Sequence, residues 1–350
     1  MSRSSFVALA LVATALAAPV QPVRAQTFTV TKTSIGGEGG SDYITAEPGT
    51  GRVFVPRGTH VMVIDGPTGK VLGDIPNTPR VHGVALSPKS NHGFITAAGD
   101  STVTMFDLKT LVPIRKIKIP TGGLDGIGYD DFSNKIILGN HSRPIGTAVA
   151  LDGATGDIVS TTELEDNGPE GIVSDGKGKI FINLEGKSTI QVLDATTMKV
   201  VASWPLAPCE GPTGLGIDRP SNRLFAGCGK TSVVVDAATG KVVSSSTNGD
   251  GVDALGYDQS QKLIYIPAGR DGNVTVLRQD GPDKYTTVAT VETMRGARTL
   301  AVDPVRHMAY LINPEYGPAP APAPGSPPPA PGSRPPRGPV IAAWFIAISH

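Results

Sequence analysis

Ionisable side chains recur at one position of a repeated pattern in this chain. Seven times, a short apolar run leads into a polar turn residue, and the residue five positions before that turn is ionisable in six of the seven cases. These recurring residues are Asp42, His82, Asp125, Glu170, Thr213, Asp253 and Arg298. Carboxylates grouped around a histidine can hold a hard cation through oxygen, a transition metal through nitrogen, or the cationic group of a ligand. Whether these side chains meet depends on the elements that carry them.

The turn residues define an internal repeat of 40 to 45 residues, at Glu47, Ser87, Asp130, Asp175, Asp218, Asp258 and Asp303. An aspartate at such a position accepts hydrogen bonds from backbone amides two residues further on and closes a tight turn between strands. A second turn of the form D-x-x-T follows at Asp65, Asp107, Asp152, Asp194 and Asp236. Each repeat therefore contains four short strands, which in the second repeat are predicted near 83–86, 92–96, 102–107 and 112–118.

Seven repeats of this length, each with four strands, predict an all-β fold, a seven-bladed β-propeller of four-stranded antiparallel blades. One blade cannot bury both of its faces, so the blades must stack and close into a ring. We assign the blades to residues 26–313. No segment after residue 25 has a helical period.

The two chain ends are predicted to complete the same blade. The seventh repeat contains only two strands in sequence, near 298–302 and 307–312, and a Pro-rich linker or loop follows at 314–339. The apolar run at 340–350 is expected to be the third strand, and the N-terminal run 27–35 the outer one. The alternative for this C-terminal tail is a disordered or membrane-contacting end, since it is too short to span a bilayer.

Blade geometry would place the recurring ionisable residues around one mouth of the central channel, with Glu38, Glu210 and Asp250 on loops that enter the same mouth. Two interpretations stay open. The acids could bind a ligand or a divalent cation, calcium or zinc, at Asp42, His82, Asp125 and Glu170. Alternatively, Arg298 could pair with Asp253 and Asp42, and the acids could simply fix the strand starts. Grouped acids are unfavourable without a positive charge among them, and one arginine is little for five neighbours.

Loops between the second and third strands should open on the same face, and their charges are expected to be solvated. These loop residues are Arg57, His60, Asp100, Asn140, His141, Arg143, Glu185, Lys187, Lys230 and Arg270. The histidines at 60, 82 and 141 have no metal-ligand spacing in sequence.

The N-terminus is typical of a secretory signal over residues 1–25. Arg3 precedes an apolar stretch from Phe6 to Ala18, and a small-x-small site lies before Gln26, with Ala18 as a second candidate for cleavage. No other segment is long enough to cross a membrane. An exported chain with two cysteines, Cys209 and Cys228, favours one disulfide across a hairpin of blade 5; two separate thiols are the alternative.

Composition argues against several classes of function. The formal net charge is +0 and aromatic residues make up 5% of the chain, so nucleic-acid binding is not expected. The nucleophile elbow G-x-S-x-G, the zinc motif H-E-x-x-H, the P-loop and the haem motif C-x-x-C-H are absent from the sequence.

Several segments resemble the YncE-like, YVTN-repeat propellers of bacteria. They are GGEGGSDYI (36–44), RGTHVMVIDGPTGKVLGDIP (57–76), VHGVALSP (81–88), TVTMFDLKTL (102–111), WPLAPCEGPTGLGID (204–218) and RGARTLAVDP (295–304). The resemblance covers about residues 27–350 and implies a seven-bladed propeller exported to the periplasm, without implying one reaction. Ser41 stands where the resemblance predicts an aromatic residue.

These observations favour a monomeric, non-enzymatic binding module whose acidic mouth takes a small molecule or a periplasmic protein. The alternative is a metal-dependent lactonase- or esterase-like hydrolase. In that case a cation at the mouth would polarise a carbonyl or activate water, with a carboxylate or His82 as the base.

Overall fold

The computed structural model describes residues 26–321 and 337–350, and in these ranges the regular secondary structure is almost entirely β-strand. Seven sheets of four antiparallel strands confirm the predicted seven-bladed propeller. Blade 1 consists of strands Thr45–Ala46, Arg52–Pro56, Val61–Asp65 and Lys70–Ile75, and blade 2 of Val81–Ser87, His92–Ala97, Thr102–Asp107 and Pro113–Lys118. Blade 3 consists of Leu124–Asp130, Lys135–Asn140, Thr147–Asp152 and Ile158–Glu163, and blade 4 of Pro169–Ser174, Lys179–Leu184, Thr189–Asp194 and Val200–Pro205.

Blades 5 to 7 follow the same order, from the innermost strand outwards. Blade 5 consists of strands Gly214–Asp218, Arg223–Gly227, Thr231–Asp236 and Val242–Thr247, and blade 6 of Gly256–Asp258, Leu263–Ala268, Asn273–Gly281 and Lys284–Glu292. Blade 7 consists of Leu300–Asp303, Met308–Tyr316, Val340–Ser349 and Thr29–Ser34. One short 3₁₀ turn, Pro88–Ser90, lies between the first two strands of blade 2.

The predicted turn aspartates accept hydrogen bonds from the backbone amides of their own turns. Asp130 accepts the backbone N–H of Ser133 at 2.9 Å, and Asn134, next in the turn, has a left-handed φ of 55°. In the second turn type, Asp152 accepts the N–H groups of Ala154 and Thr155 at 2.8 and 2.9 Å. Each repeat therefore encodes its own hairpins through contacts only a few residues long.

The hydrophobic core is divided among the blade interfaces. In the described residues, seven buried apolar clusters each lie between two neighbouring blades. Phe54 of blade 1 packs against Phe106 of blade 2, with ring centroids 5.8 Å apart. Val53 of blade 1 and Tyr310 of blade 7 share another cluster, so the last blade packs against the first. Burial between blades, rather than within them, drives ring closure.

Strands from both chain ends complete blade 7, as predicted. The N-terminal strand Thr29–Ser34 pairs antiparallel with Val340–Ser349, from Thr29 opposite Ser349 to Ser34 opposite Trp344. The preceding strand extends beyond residue 312 to Tyr316, with Pro314 opposite Ala343. Pairing with the inner strand ends at Leu311. Proline has no N–H to donate, but at Pro314 no residue of the inner strand needs one, so the proline is tolerated there. The Pro-rich segment assigned from 314 thus begins inside a strand, and 322–336 lie outside the described residues.

Cys209 and Cys228 form the predicted disulfide, with Cα atoms 5.7 Å apart and both side chains buried between blades 4 and 5. The signal sequence predicted at 1–25 lies outside the described residues. Across 26–321 and 337–350, no helix has the length and apolar character to cross a membrane.

Candidate functional site

The recurring ionisable residues lie where the innermost strand of each blade begins. His82, Asp125 and Glu170 are the second residues of their inner strands. The other four precede an inner strand by one to three residues; they are Asp42, Thr213, Asp253 and Arg298. The inner strands contact one another in order around the ring, and that of blade 7 contacts that of blade 1. The backbone therefore directs these side chains towards one shared mouth.

Blades 1 to 4 bring four of these side chains and His141 into a continuous series. We call it the carboxylate–histidine chain, and its members are Asp42, His82, Asp125, His141 and Glu170. His82 Nδ1 lies 2.8 Å from Asp42 Oδ2 and 3.3 Å from Asp125 Oδ1. His141 Nε2 lies 3.6 Å from Asp125 Oδ2 and 3.4 Å from Glu170 Oε1. Acids and imidazoles alternate along the series, so each histidine lies between two carboxylates.

The two histidines differ in their hydrogen bonding. His82 Nδ1 is buried, but neither carboxylate oxygen is aligned with its N–H, so its contacts are ion pairs rather than directed hydrogen bonds. His141 Nε2 lies 3.0 Å from the carbonyl oxygen of Pro169, which suits an N–H donor at that nitrogen.

Tyr43 links the end of the series back to its beginning. It follows Asp42 in blade 1, and its hydroxyl donates a hydrogen bond to Glu170 Oε2 of blade 4. The pKa of Tyr43 is raised well above 10.0 by burial and by the nearby acids, Glu170 first among them. Tyr43 therefore remains a hydrogen-bond donor over the physiological pH range.

The acids control the charge of His82. Burial lowers its pKa, but Asp125 and Asp42 outweigh burial and raise the pKa to about 10. His82 is thus an imidazolium at neutral pH, and it compensates part of the negative charge of its neighbours.

Two of the acids titrate far above their ordinary range. Burial raises the pKa of Glu170 to about 9, with a further contribution from the charge of Asp125. The pKa of Asp253 is raised to about 6, again chiefly by burial, although Arg298 opposes the shift. Carboxyls with such pKa values in a concave site are candidates for binding or catalysis.

The second half of the mouth, on blades 5 to 7, is built differently. Arg298 Nε lies 3.0 Å from Asp253 Oδ2, as the structural interpretation predicted, whereas Asp42 pairs with His82 instead. Thr213 is buried, and its hydroxyl donates to the carbonyl of Val252 at 2.9 Å, a bond between blades 5 and 6.

A cavity of about 650 Å³ opens in this half, and Ser41, Glu210, Asp250 and Asp253 are among its lining residues. Glu38 is exposed on the loop before blade 1 and does not line the cavity. Of the three loop acids predicted at the mouth, two therefore border the cavity and one does not.

The expectation that the loop charges are solvated was wrong for Arg57. Its side chain is fully buried and donates hydrogen bonds to the carbonyls of Gly36, Gly37 and Gly39 at 2.9, 3.0 and 3.1 Å. His141 also belongs to the site, although its sequence spacing gave no sign of it. The available signal was its position directly after the second strand of blade 3, at the end that opens on the mouth.

Two trios at the mouth have ligand atoms close enough to share a metal ion, namely Asp42, His82 and Asp125, and Asp125, His141 and Glu170. Within each trio these atoms lie within 4.8 Å of one another. The first trio and Glu170 were predicted as possible ligands, and His141 is the addition that the fold supplies. The contact between His141 Nε2 and the Pro169 carbonyl would have to break before that nitrogen could bind a metal.

Comparison with known proteins identifies the architecture. No protein-family model matches the chain, and no curated protein matches it. Among solved structures, hydrazine synthase from Kuenenia stuttgartiensis is similar at a TM-score of 0.68 and 16% identity, over 79% of this chain and 93% of that one. A chain of the mitotic checkpoint complex matches at 0.69 and 16% identity, over 88% and 95%. The WD40 repeats of RRP9 match at 0.73 and 9% identity, over 92% and 97%. At these identities the similarity shows the fold alone, a seven-bladed propeller with WD40-repeat structural neighbours.

Proposed function

We propose that this chain is an exported, YncE-like binding module whose channel mouth takes the positively charged group of a small ligand. The fold supports a role as a binding module, since β-propellers are typical interaction modules. Their rigid strands hold the binding residues in place for a ligand. The segments that resemble YVTN-repeat proteins support the family, and the N-terminal sequence and the disulfide support export to the periplasm.

The environment of Glu170 is the observation on which the ligand class depends. Its carboxyl group is buried, receives a hydrogen bond from Tyr43 and lies 3.4 Å from His141 Nε2. In the described part of the chain no lysine or arginine forms an ion pair with it. Asp125 and Asp253 add like charge nearby. Glu170 holds its proton at neutral pH because its pKa is raised to about 9. A cation at this point would displace that proton, pair with the carboxylate and relieve the repulsion from the neighbouring acids.

Binding of n-alkylamines, from methylamine to hexylamine, tests this function by calorimetry or by NMR titration. We expect weak, saturable binding that Glu170→Gln and Asp125→Asn each reduce at least tenfold. Glu163→Gln is the matched control, because Glu163 is exposed on the outer strand of blade 3. Absence of amine binding to the native protein, or equal binding by the acid-site variants, would contradict the proposal. If those variants change only the melting temperature, the acids are structural.

A metal-dependent hydrolase of the lactonase or esterase type is the second candidate, and the closeness of Asp125, His141 and Glu170 favours it. A cation held there would polarise a substrate carbonyl. Elemental analysis and equilibrium dialysis against calcium and zinc test this candidate. Stoichiometric metal that His141→Ala removes would support it, and no binding at millimolar concentration would eliminate it.

A further inference from the structure

The cavity beside the carboxylate–histidine chain has the size of a small-molecule site. Its volume is about 650 Å³, within the range of about 300–1,000 Å³ usual for ligand pockets. Ser41, which precedes Asp42, and Asp253, whose charge acts on the acids of the other half, both line it. The cavity therefore adjoins the acidic half of the mouth at Ser41 and Asp253, although the side chains of the carboxylate–histidine chain do not line it.

An orphaned amide in its wall indicates a missing partner. Asn313 lines the cavity and is only 3% exposed, yet its Oδ1 has no hydrogen-bond partner in the described chain. Asn313 lies in the second strand of blade 7, past Leu311, where pairing with the inner strand has ended. A buried polar atom left unpaired costs about 1–3 kcal/mol. An amide oxygen only accepts hydrogen bonds, so this site is suited to a ligand that brings an N–H donor.

The cationic side chains of the cavity lie towards blades 6 and 7. Arg298 is paired with Asp253, but Arg295 and Arg337 form no ion pair with any carboxylate of the described residues. Arg337 lies 4.9 Å from the ring centroid of Tyr316 and donates to the Tyr316 hydroxyl at 3.1 Å. Stacking of this kind pre-orients a guanidinium, whose forked N–H groups match a carboxylate.

Opposite charges line the side of the cavity nearer blades 4 and 5. Glu185 and Glu210 are exposed there, and neither is ion-paired in the described ranges. A ligand carrying only negative charge would be repelled by these acids, and one carrying only positive charge would be repelled by the arginines. A molecule with a charge of each sign satisfies both sides.

We propose that the mouth binds a dipolar small molecule of the amino-acid type, with its carboxylate at Arg295 and Arg337 and its ammonium group donating to Asn313 Oδ1 and facing the acids. The ammonium end rests on the proposed function, whereas the arginine end is a separate subsite. Arg295 and Arg337 are the residues that select for the carboxylate, and Asn313 Oδ1 together with the acids that line the cavity selects for the amine.

A series of ω-amino acids of increasing chain length, from glycine to 6-aminohexanoate, tests this inference. Each is compared by calorimetry with the alkylamine and the alkyl carboxylate of equal length. We expect at least one ω-amino acid to bind ten or more times more tightly than both of its single-charge counterparts. Arg295→Ala should reduce the affinity of that amino acid to that of the amine, while amine binding stays unchanged. Arg115→Ala, on the exposed outer strand of blade 2, is the matched control.

Asn313→Ala is the second variant, because the Oδ1 of Asn313 makes no hydrogen bond in the described chain that the substitution would break. It should weaken binding of the amino acid at least threefold without lowering the unfolding midpoint, because it removes a buried, unpaired oxygen. Amine binding without any gain from the carboxylate would overturn the arginine subsite and leave the proposed function intact. Failure of both amines and amino acids to bind would overturn the two proposals together.

Discussion

Tyr43 and Glu170 are 127 residues apart in sequence, and they are joined by a hydrogen bond across the mouth of the channel. The bond connects blade 1 to blade 4, which are not neighbours in the ring. It therefore braces the mouth directly and adds to the contacts that pass from blade to blade. It also satisfies one oxygen of a carboxyl group that is otherwise buried among acids.

Replacing Tyr43 with phenylalanine should destabilise the protein through this bond. A buried carboxyl oxygen would lose its donor, at a cost of about 1–3 kcal/mol in the free energy of unfolding. Urea denaturation measures this change. Tyr43→Phe combined with Glu170→Ala should cost less than the sum of the single changes, because both remove the same contact. Strict additivity would show that the two side chains do not interact.

Stability should fall as the pH rises from about 6.5 to 9. His82 has a folded-state pKa of about 10, against an ordinary value of 6.5, so its stabilising contribution is complete below pH 6.5 and is lost towards pH 10. Glu170 keeps its proton to about pH 9 when folded but loses it near pH 4.5 when unfolded. The folded state therefore binds more protons in this window. Each group contributes a slope of up to about 1.4 kcal/mol per pH unit.

Urea unfolding at pH 6.5, 7.5, 8.5 and 9, in buffer with a chelator, measures the slope. Glu170→Gln should make it shallower, because glutamine does not titrate, and Glu163→Gln should leave it as in the native chain. A stability that is flat or rises with pH in this window would contradict the assignment.

Arg57→Ala should be among the most destabilising single changes on this face. The buried guanidinium bonds three carbonyls of the loop before blade 1, and Gly39 (φ 91°) approaches so closely that an added Cβ would lie 2.2 Å from Arg57 O. We expect a loss of about 3 kcal/mol and faster proteolysis near residues 36–40. Arg115→Ala, at an exposed ion pair, should change stability by no more than about 1 kcal/mol.

Loss of the disulfide should cost about 3 kcal/mol, the value that the chain-entropy model gives for cysteines 19 residues apart. Comparison of the oxidised protein with the Cys209→Ala, Cys228→Ala double variant by urea denaturation measures the loss. If the free energy of unfolding is equal with and without the bond, the cross-link has no role in stability.

Export predicts that the mature chain begins at Gln26. Intact-mass measurement of the protein from the periplasmic fraction of a bacterial host should give a chain that lacks residues 1–25. A chain starting after Ala18 would move the cleavage site but preserve export. A full-length chain that stays in the cytoplasmic fraction would refute export.

The sequence by itself determined the blades, their number and the position of the ring residues. This was possible because propeller order is local: turn aspartates such as Asp130 and Asp152 bond amides two and three residues away, and their spacing repeats with each blade. The pairing of the two chain ends was also predictable, since blade 7 lacked two strands in sequence.

Only the tertiary structure decided which of these residues meet and what their surroundings do to them. The burial of Arg57, the position of His141 between Asp125 and Glu170, and the unpaired Oδ1 of Asn313 have no local signature. Each depends on the distance between blades and on the direction of a side chain at the rim, which the packing between blades sets once the ring has closed. Burial and neighbouring charge, and hence the pKa values of Glu170 and His82, follow from that closure.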